Sequence, residues 1–375
     1  MPQETVVVLG AGFGGLRAAT LLARNGQPVT LVDRNDYHTY APLLYEIAAT
    51  SKEVDYYWDL KSIITISFKE ITAGLPITFI KDEVQELDVA NCDIHLTSQK
   101  IHFHTLILAL GAETNYFDIP GLQAHALGFK SFMDALRLRD ALAVPPLHAK
   151  PRVIIGGGGA AGIELAGEIQ FSGLGAVTVV QSPPEILPDF NEQVVRKAKQ
   201  RLAQLGITTV LDRITQVNDQ TVVLQNSGQL AYDILVWTGG TKPNQAVFSL
   251  PFKKGKQGRI EVRQAMDCLP QSPDLNLVGK IYAIGDLVCF YDEQGKLIPG
   301  LASVAIDQAG VVAKNILGRK KVYRPKKFPY ILPIGGKYAI FSYGNVVIEG
   351  FPAWLLKGLV ELKYLFSIMP PPYAL

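Results

Sequence analysis

The chain has 375 residues, of which 48% are hydrophobic and 19% charged, and its formal net charge is +2. This composition is typical of a folded protein of two or more domains, excludes a disordered chain, and gives no indication of a nucleic-acid partner. Its three cysteines, Cys92, Cys268 and Cys289, lie far apart, which excludes a disulfide framework and a Cys-x-x-Cys site.

The first predicted strand, residues 5–9, is an apolar β-branched run typical of buried parallel strands. It begins almost at Met1, so we expect no signal peptide ahead of it. No uncharged apolar run reaches the roughly 18 residues that a membrane-spanning helix needs. We therefore expect a cytoplasmic chain, or one attached peripherally to the cytoplasmic face of a membrane.

A glycine-rich turn follows this strand and leads into an amphipathic helix. Gly10, Gly12 and Gly15 have the G-x-G-x-x-G spacing. In that motif the first glycine permits a tight turn, the second lets the backbone approach a pyrophosphate, and the third allows helix and strand to pack closely. The next predicted strand, residues 29–32, leads to Asp33, whose carboxylate can accept hydrogen bonds from an adenosine ribose. These features together predict a dinucleotide-binding Rossmann fold.

A second copy of this pattern begins near residue 151. Gly157, Gly159 and Gly162 have the same spacing between a predicted strand and a predicted helix. The following strand ends at Gln181 instead of an acid. Gln181 neither binds both ribose hydroxyls strongly nor repels a 2′-phosphate, so both NADH and NADPH remain possible. Two such folds indicate two dinucleotides, one bound permanently and the other a substrate.

Three later segments, residues 105–111, 233–240 and 281–286, are predicted strands that end in turns of small residues, and the third is expected to be buried. Residues 302–315 are predicted to form a helix, because a proline precedes them and Gly318 follows. Residues 319–327 hold six basic residues and no acid, and both anionic lipid headgroups and a solvated linker remain open explanations.

Residues 354–366 have helical spacing. Lys357, Glu361 and Tyr364 fall on one side of this helix, and apolar residues cover most of the rest. Such a helix suits a membrane interface, while a dimer contact or a core helix remains open.

One cluster has conceivable metal-ligand spacing and consists of Cys92, His95, His102 and His104. A solvent-facing strand surface explains these residues without a metal, and we predict no metal site.

The sequence resembles the flavoproteins with two dinucleotide-binding domains, and among them most closely the type II NADH:quinone dehydrogenases. The matching segments are residues 8–16, 35–38, 42–45, 162–168, 236–240 and 283–286. The resemblance implies an α/β fold with two Rossmann-like domains, the second inserted in the first, and a short C-terminal amphipathic segment. An FAD domain would comprise residues 1–118 and 245–325, an NAD(P)H domain residues 119–244, and a C-terminal membrane-interface or dimerisation segment residues 326–375.

The resemblance also implies which residues hold the two nucleotides. FAD, bound tightly but not covalently, would contact Gly10, Gly12, Phe13, Gly14, Gly15, Asp33, Arg34, His38, the backbone of Val84, Gly111, Asp286 and Ala302. NADH or NADPH would contact Gly157, Gly159, Ala160, Gly162, Gln181 and Gly240. Glu164 would lie near the nicotinamide, although a first-turn glutamate can also offset the helix dipole.

The quinone motif of the family has two glutamines four residues apart on the helix that begins near residue 302, whose N-terminus would face the flavin. Ser303 and Asp307 occupy those positions here, and Gln308 faces elsewhere. The quinone would enter beside Ser303, and Asp307 would lie in an apolar tunnel and donate a proton. The implied enzyme passes two electrons from NAD(P)H through flavin to a respiratory quinone without pumping protons. A soluble ferredoxin- or rubredoxin-type reductase and a non-enzymatic flavin redox sensor remain alternatives, and a homodimer remains open.

Overall fold

The computed structural model describes residues 5–144, 150–272, 277 and 279–369. Residues 1–4, on which the expectation about a signal peptide rests, lie outside this description. Within the described residues, no helix combines the length and the apolar character needed to cross a bilayer.

Strands and helices alternate through most of the chain. Its first part contains β1 (Val6–Leu9), α1 (Phe13–Arg24), β2 (Val29–Asp33), β3 (Tyr37–Thr39), α2 (Leu44–Ala48), α3 (Tyr56–Ile64), β4 (Thr65–Ser67), α4 (Phe68–Ile71), β5 (Ile77–Lys81), β6 (Val84–Asp88), β7 (Asp93–Leu96), β8 (Lys100–His102) and β9 (Thr105–Leu108). Its middle part contains β10 (Ala112–Thr114), α5 (Leu122–His125), β11 (Leu127–Gly128), α6 (Phe132–Leu142), β12 (Arg152–Gly156), α7 (Ala160–Phe171), β13 (Ala176–Gln181), α8 (Glu192–Leu205), β14 (Thr208–Leu211), β15 (Ile214–Asn218), β16 (Thr221–Leu224), β17 (Gln229–Ala231), β18 (Ile234–Trp237) and β19 (Thr241–Pro243). Its last part contains β20 (Ile260–Glu261), β21 (Ile281–Ala283), β22 (Val288–Cys289), α9 (Ala302–Ile316), β23 (Tyr330–Pro333), β24 (Ala339–Tyr343), β25 (Val346–Gly350) and α10 (Phe351–Ile368).

Two five-stranded parallel sheets are built alike around their central strands, although the edge strand β21 is the last of its sheet along the chain and the edge strand β11 is the first of its own. Their strand orders are β21-β9-β1-β2-β5 and β11-β18-β12-β13-β14, so in each sheet the strand before the glycine turn is central. Each unit also has a three-stranded antiparallel sheet, β6-β7-β8 in the first and β15-β16-β17 in the second. The predicted α/β class with two Rossmann-like units is confirmed, and the duplication extends beyond the glycine turns.

The chain passes between the two units through a pair of adjacent antiparallel strands. In this pair, β10 runs beside β19, with Ala112 opposite Pro243 and Thr114 opposite Thr241. The second unit is therefore inserted between β9 and β21 of the first sheet. This strand pair supports the predicted division of the chain into domains, which we retain as a proposal. The domains are residues 1–118 with 245–325, residues 119–244, and residues 326–375.

A continuous apolar cluster joins the two units and the C-terminal segment. It includes Tyr45 and Leu60 from the first unit, Ile163 and Val194 from the second, and Ile340 from β24, all of them buried. Because these side chains exclude water from the boundary, the two glycine turns are held in a defined relative position.

The C-terminal segment is an antiparallel sheet, β23-β24-β25, followed by α10. The side of α10 that carries Lys357, Glu361 and Tyr364 faces the protein. The opposite face is apolar and open to solvent, with exposed fractions from 49% to 62% for Phe351, Leu355, Leu359, Val360, Leu362 and Phe366. The two predicted sides of this helix are present, and the apolar side is the exposed one.

Candidate active site

The first glycine turn has the geometry that its spacing predicts. Gly10 has φ of +93°, a conformation that L side chains rarely adopt. A Cβ on Gly15 would lie 1.8 Å from the carbonyl oxygen of Gly10, so only glycine lets helix and strand approach this closely. Gly12, just before α1, has nothing within 4 Å of the position that a Cβ would take, and no side chain caps the helix. The free N–H groups and the open space fit a pyrophosphate.

The second glycine turn repeats this arrangement. Gly157 has φ of +119°, and a Cβ on Gly162 would lie 2.0 Å from the Gly157 carbonyl oxygen. Gly159 has open space at its Cβ position, and no side chain caps α7. A second pyrophosphate therefore fits at the N-terminus of α7, as the sequence predicts.

The residue that ends the second strand supports the glycine turn in both folds. Asp33 Oδ2 accepts a hydrogen bond from the Ala11 N–H at 2.7 Å, and Gln181 Oε1 accepts one from the Gly158 N–H, also at 2.7 Å. Burial raises the pKa of the Asp33 carboxyl, while hydrogen bonds from the backbone oppose that shift. Gln181 thus keeps the structural contact of the acid but not its charge.

The ring of Phe117 lies against Gly240, a residue predicted to contact the second nucleotide, and the sequence analysis did not single it out. A Cβ on Gly240 would lie 2.6 Å from its ring, and the ring is 52% exposed. Phe117 and Asp118 both have positive φ, +52° and +53°, which is uncommon for residues with side chains. The ring also meets Trp237 edge-on at 6.4 Å. The only feature of the sequence that could have indicated this contact is that an aromatic residue stands close to β10, one of the two strands through which the chain passes between the units.

His38 connects the first glycine turn to α10. Its Nδ1 lies 3.1 Å from the Ala11 carbonyl oxygen, and its Nε2 lies 2.8 Å from the Tyr364 hydroxyl. Since a carbonyl can only accept, Nδ1 carries the proton and Nε2 accepts from Tyr364. Burial lowers the pKa of His38 to about 4, so the ring is neutral at physiological pH. Both ring nitrogens are used by protein atoms, which makes His38 a positioning residue for the turn.

An aromatic group surrounds this hydrogen bond. The Tyr364 ring stacks on Tyr40 at 5.2 Å and tilts against Phe13 at 5.0 Å. Phe13 is the first residue of α1, so the C-terminal helix reaches the start of the first nucleotide-binding helix. The sequence placed Tyr364 on the polar side of its helix but did not connect it to this site.

The Gly285–Asp286 turn is supported by α9. Gln308 is 2% exposed, and its Oε1 accepts a hydrogen bond from the Gly285 N–H at 2.7 Å. The Asp286 carboxylate is one-third exposed and lies 3.5 Å from Lys130 Nζ. Gln308 therefore faces the turn that is predicted to hold the flavin. This agrees with the helix spacing, which placed Gln308 on a different side of α9 from Ser303 and Asp307.

Asp307 has different surroundings from those predicted. Its Oδ1 lies 2.6 Å from Lys326 Nζ, and Lys326 belongs to the basic run. The expectation of an apolar tunnel around Asp307 is wrong, because a charged ammonium contacts the carboxylate. Ser303 lies in the first turn of α9 and is half-buried.

Glu164 lies where the two units meet the C-terminal segment. It is half-buried as the fifth residue of α7, beyond the first turn in which the sequence had placed it, and lies near Tyr45, Tyr330 and Lys357. Desolvation raises the pKa of its carboxyl to about 8, and the nearby Lys357 opposes that shift. Lys357 itself contacts Glu361 at 2.8 Å. Glu164 thus holds its proton at neutral pH.

The other predicted contacts stay predictions. Arg34 is exposed and lies 3.9 Å from Glu83, while Gly111 has φ of +69° just after β9. Val84, Ala160 and Ala302 begin β6, α7 and α9.

The cluster around His102 forms ordinary surface contacts. His102 Nδ1 lies 3.0 Å from Asp93, and Lys100 lies 2.7 Å from the same carboxylate. His104 lies beyond the end of β8, and its ring is 5.6 Å from that of His102. Over the described ranges, no group of three or more His, Cys, Asp or Glu side chains is arranged to hold a metal.

The chain belongs to the pyridine nucleotide-disulphide oxidoreductase family, whose model matches residues 4–309. It is 29% identical to demethylphylloquinone reductase NdbB of Synechocystis sp., over 96% of this chain and 92% of that protein. It is 25% identical to a type II NADH:quinone oxidoreductase of Staphylococcus aureus, over 98% of this chain and 96% of that protein. The structure of NDH2 from Plasmodium falciparum in complex with NADH has a TM-score of 0.81 at 17% identity, covers 98% and 97% of the two chains, and supports the fold. The predicted resemblance to the type II NADH:quinone dehydrogenases is confirmed.

Proposed function

We propose that this chain is an FAD-dependent enzyme that oxidises NADH and reduces a membrane quinone. One observation carries the proposal. Phe13 and Ala160, the first residues of the two nucleotide-binding helices, both pack against the apolar cluster that joins the units. The two pyrophosphate sites therefore face the same boundary, as two nucleotides that exchange electrons require.

The chain contributes binding, orientation and charge to this reaction. Bound FAD supplies an acceptor for the hydride of NADH and a relay of two electrons to the quinone. The N–H groups at the starts of α1 and α7 bind the pyrophosphates. Gln308 holds the Gly285–Asp286 turn, where Asp286 would contact the ribityl chain. The positive end of α9, at Ala302, would stabilise the negative charge of reduced flavin.

Glu164 is proposed to act at the nicotinamide. Its carboxyl is neutral at pH 7 and can donate a hydrogen bond as well as accept one. A neutral group at this position avoids placing a second negative charge beside the reduced flavin. Gln181 leaves NADPH open as a second electron donor.

The quinone is proposed to enter between the start of α9 and α10. Ser303 lies at the start of α9, and the rings of Phe13, Tyr40 and Tyr364 provide an apolar wall that suits a quinone ring. Asp307 is assigned no proton-transfer role, since it pairs with Lys326.

The outward face of α10 is proposed to lie in the membrane interface. Its exposed leucine and phenylalanine side chains form one apolar surface, and its polar side is used by contacts within the protein. Lys337 lies 5.6 Å from the ring of Trp354 near the start of the helix, and both residue types are favoured at membrane interfaces. The enzyme would thus bind peripherally, from the cytoplasmic side, and a homodimer through the same face is the competing outcome.

The test compares electron acceptors with the FAD-loaded enzyme. We expect NADH oxidation to be fast with a water-soluble quinone and slow with ferredoxin at the same concentration, because the site accommodates a small apolar ring. Faster turnover with ferredoxin would favour a soluble reductase. Slow turnover with every acceptor despite full FAD occupancy would favour a redox sensor.

A further inference from the structure

Six basic side chains point into solvent from the segment that joins α9 to β23. We call this segment the basic strip, and its exposed members are Arg319, Lys320, Lys321, Arg324, Lys326 and Lys327. No acidic residue occurs between the first and the last of them. The strip is nine residues long, so an extended backbone carries these charges over at most about 30 Å.

The backbone of the strip is held against the first unit. Tyr323 is 2% exposed, and its ring packs against Phe290 at 5.3 Å. The Tyr323 N–H donates to the Gln264 carbonyl at 2.6 Å, and Asn315 Nδ2 donates to the Lys321 carbonyl at 2.9 Å. A linker that served only as a solvated connection would not need these anchors. The charges are therefore presented by a fixed backbone.

Most of these charges lack an acidic partner. Lys326 pairs with Asp307 at 2.6 Å, and the other five basic side chains form no ion pair within the part of the chain that the structure describes. Cations concentrated on one surface repel one another, which disfavours the arrangement unless an anionic partner compensates for it.

The strip and α10 run over the same unit of the protein. Tyr323 and Phe328 pack against the apolar core of the first unit, and Tyr364 and Leu365 of α10 pack against that core as well. The one large apolar side chain exposed within the strip is Val322, at 49%, so the strip offers charge without the apolar anchor residues typical of protein interfaces. A surface of anionic headgroups matches such a spread of charge.

We propose that the basic strip binds anionic phospholipid headgroups while α10 lies in the same membrane surface. This inference rests on the membrane binding included in the proposed function. It adds a lipid preference: the enzyme binds bilayers that contain phosphatidylglycerol more tightly than bilayers of phosphatidylcholine alone.

The experiment measures sedimentation of the FAD-loaded full chain with vesicles of phosphatidylcholine, with and without phosphatidylglycerol. The strip variant carries Lys320→Gln, Lys321→Gln and Arg324→Gln. The control variant carries Lys253→Gln, Lys256→Gln and Arg259→Gln and loses the same charge from another surface loop. NADH oxidation with a water-soluble quinone should be equal in all three proteins, which verifies that they fold.

We expect wild type and control to prefer the anionic vesicles, and the strip variant to bind them about 100-fold more weakly, which corresponds to about 1 kcal/mol for each charge removed. In 1 M salt the preference should disappear, because the Debye length falls to about 3 Å. Equal binding of wild type to both kinds of vesicle, or equal losses in the strip and control variants, would overturn the lipid preference and leave the role of α10 intact. Binding to neither kind of vesicle would overturn the proposed membrane binding itself.

Discussion

His38 shows how one side chain connects distant parts of the sequence. Its neutral ring bridges Ala11 in the glycine turn and Tyr364 in the last helix, so the turn depends on a residue more than three hundred positions away. The resemblance predicted that His38 contacts FAD. The structure gives it a supporting contact that no local pattern predicts, because the partner is brought there by tertiary packing.

Replacing Tyr364 by phenylalanine tests this bridge. The variant keeps the ring packing and leaves the buried Nε2 of His38 without a donor, which should cost about 1–3 kcal/mol of unfolding free energy. Urea denaturation of the two proteins measures the difference. Tyr343→Phe, at a tyrosine that is 51% exposed, is the control and should cost little. Equal losses in both variants would contradict the account.

The raised pKa of Glu164 makes a prediction about pH. The folded state holds this proton up to about pH 8, whereas the unfolded chain loses it near pH 4.5. The proton therefore contributes its full stabilisation below pH 4.5, and this contribution is lost as pH rises through 8. The unfolding free energy of wild type minus that of Glu164→Gln should therefore fall between pH 5 and pH 9. The expected fall is on the order of 2 kcal/mol, reduced from the full shift because the side chain is half-buried.

Thermal and urea unfolding across this pH range measure that difference. Glu86→Gln, at an exposed carboxylate on β6, is the matched control. A difference between wild type and Glu164→Gln that stays constant from pH 5 to pH 9 would show that the Glu164 carboxyl ionises alike in the folded and unfolded chains.

At the scale of secondary-structure elements, short sequence patterns predicted most of the local structure. The strand, glycine turn and helix at residues 6–24 follow from spacing alone, and so do the two sides of α10. Which side of α10 meets the protein could not be predicted, because that depends on Lys357 reaching Glu46, a residue on α2. The surroundings of Asp307 were mispredicted for the same reason, since Lys326 arrives from a separate segment.

Polar substitutions on the outward face of α10 should release the enzyme from membranes. Leu355, Leu359 and Leu362 are half exposed, so changing all three to serine removes about 1 kcal/mol of apolar transfer energy per residue and should reduce partition to vesicles about 100-fold. Vesicle sedimentation and far-ultraviolet circular dichroism provide the measurements.

The control for α10 replaces three exposed apolar residues elsewhere, Met133, Leu211 and Phe248, by serine. It should bind vesicles as wild type does. If the α10 variant bound vesicles normally but changed from dimer to monomer, the outward face would be a subunit contact.

At the scale of the whole molecule, the duplicated sheets and the shared apolar boundary explain why the starts of both glycine-turn helices, at Phe13 and Ala160, border the same apolar cluster. The sequence shows the duplication through its two glycine turns, since each turn is a local feature. The boundary itself combines Tyr45, Ile163 and Ile340, which come from three separate regions, so its composition could only be seen in the folded chain.

The central claim is that a bound flavin passes electrons from NADH to a quinone, and rapid mixing of the purified yellow protein under anaerobic conditions tests it most directly. We predict that NADH bleaches the blue absorption band of the flavin in one fast phase and that adding a water-soluble quinone restores the band. A colourless protein that takes up no FAD, or a flavin that NADH reduces but quinone does not reoxidise, would contradict the account.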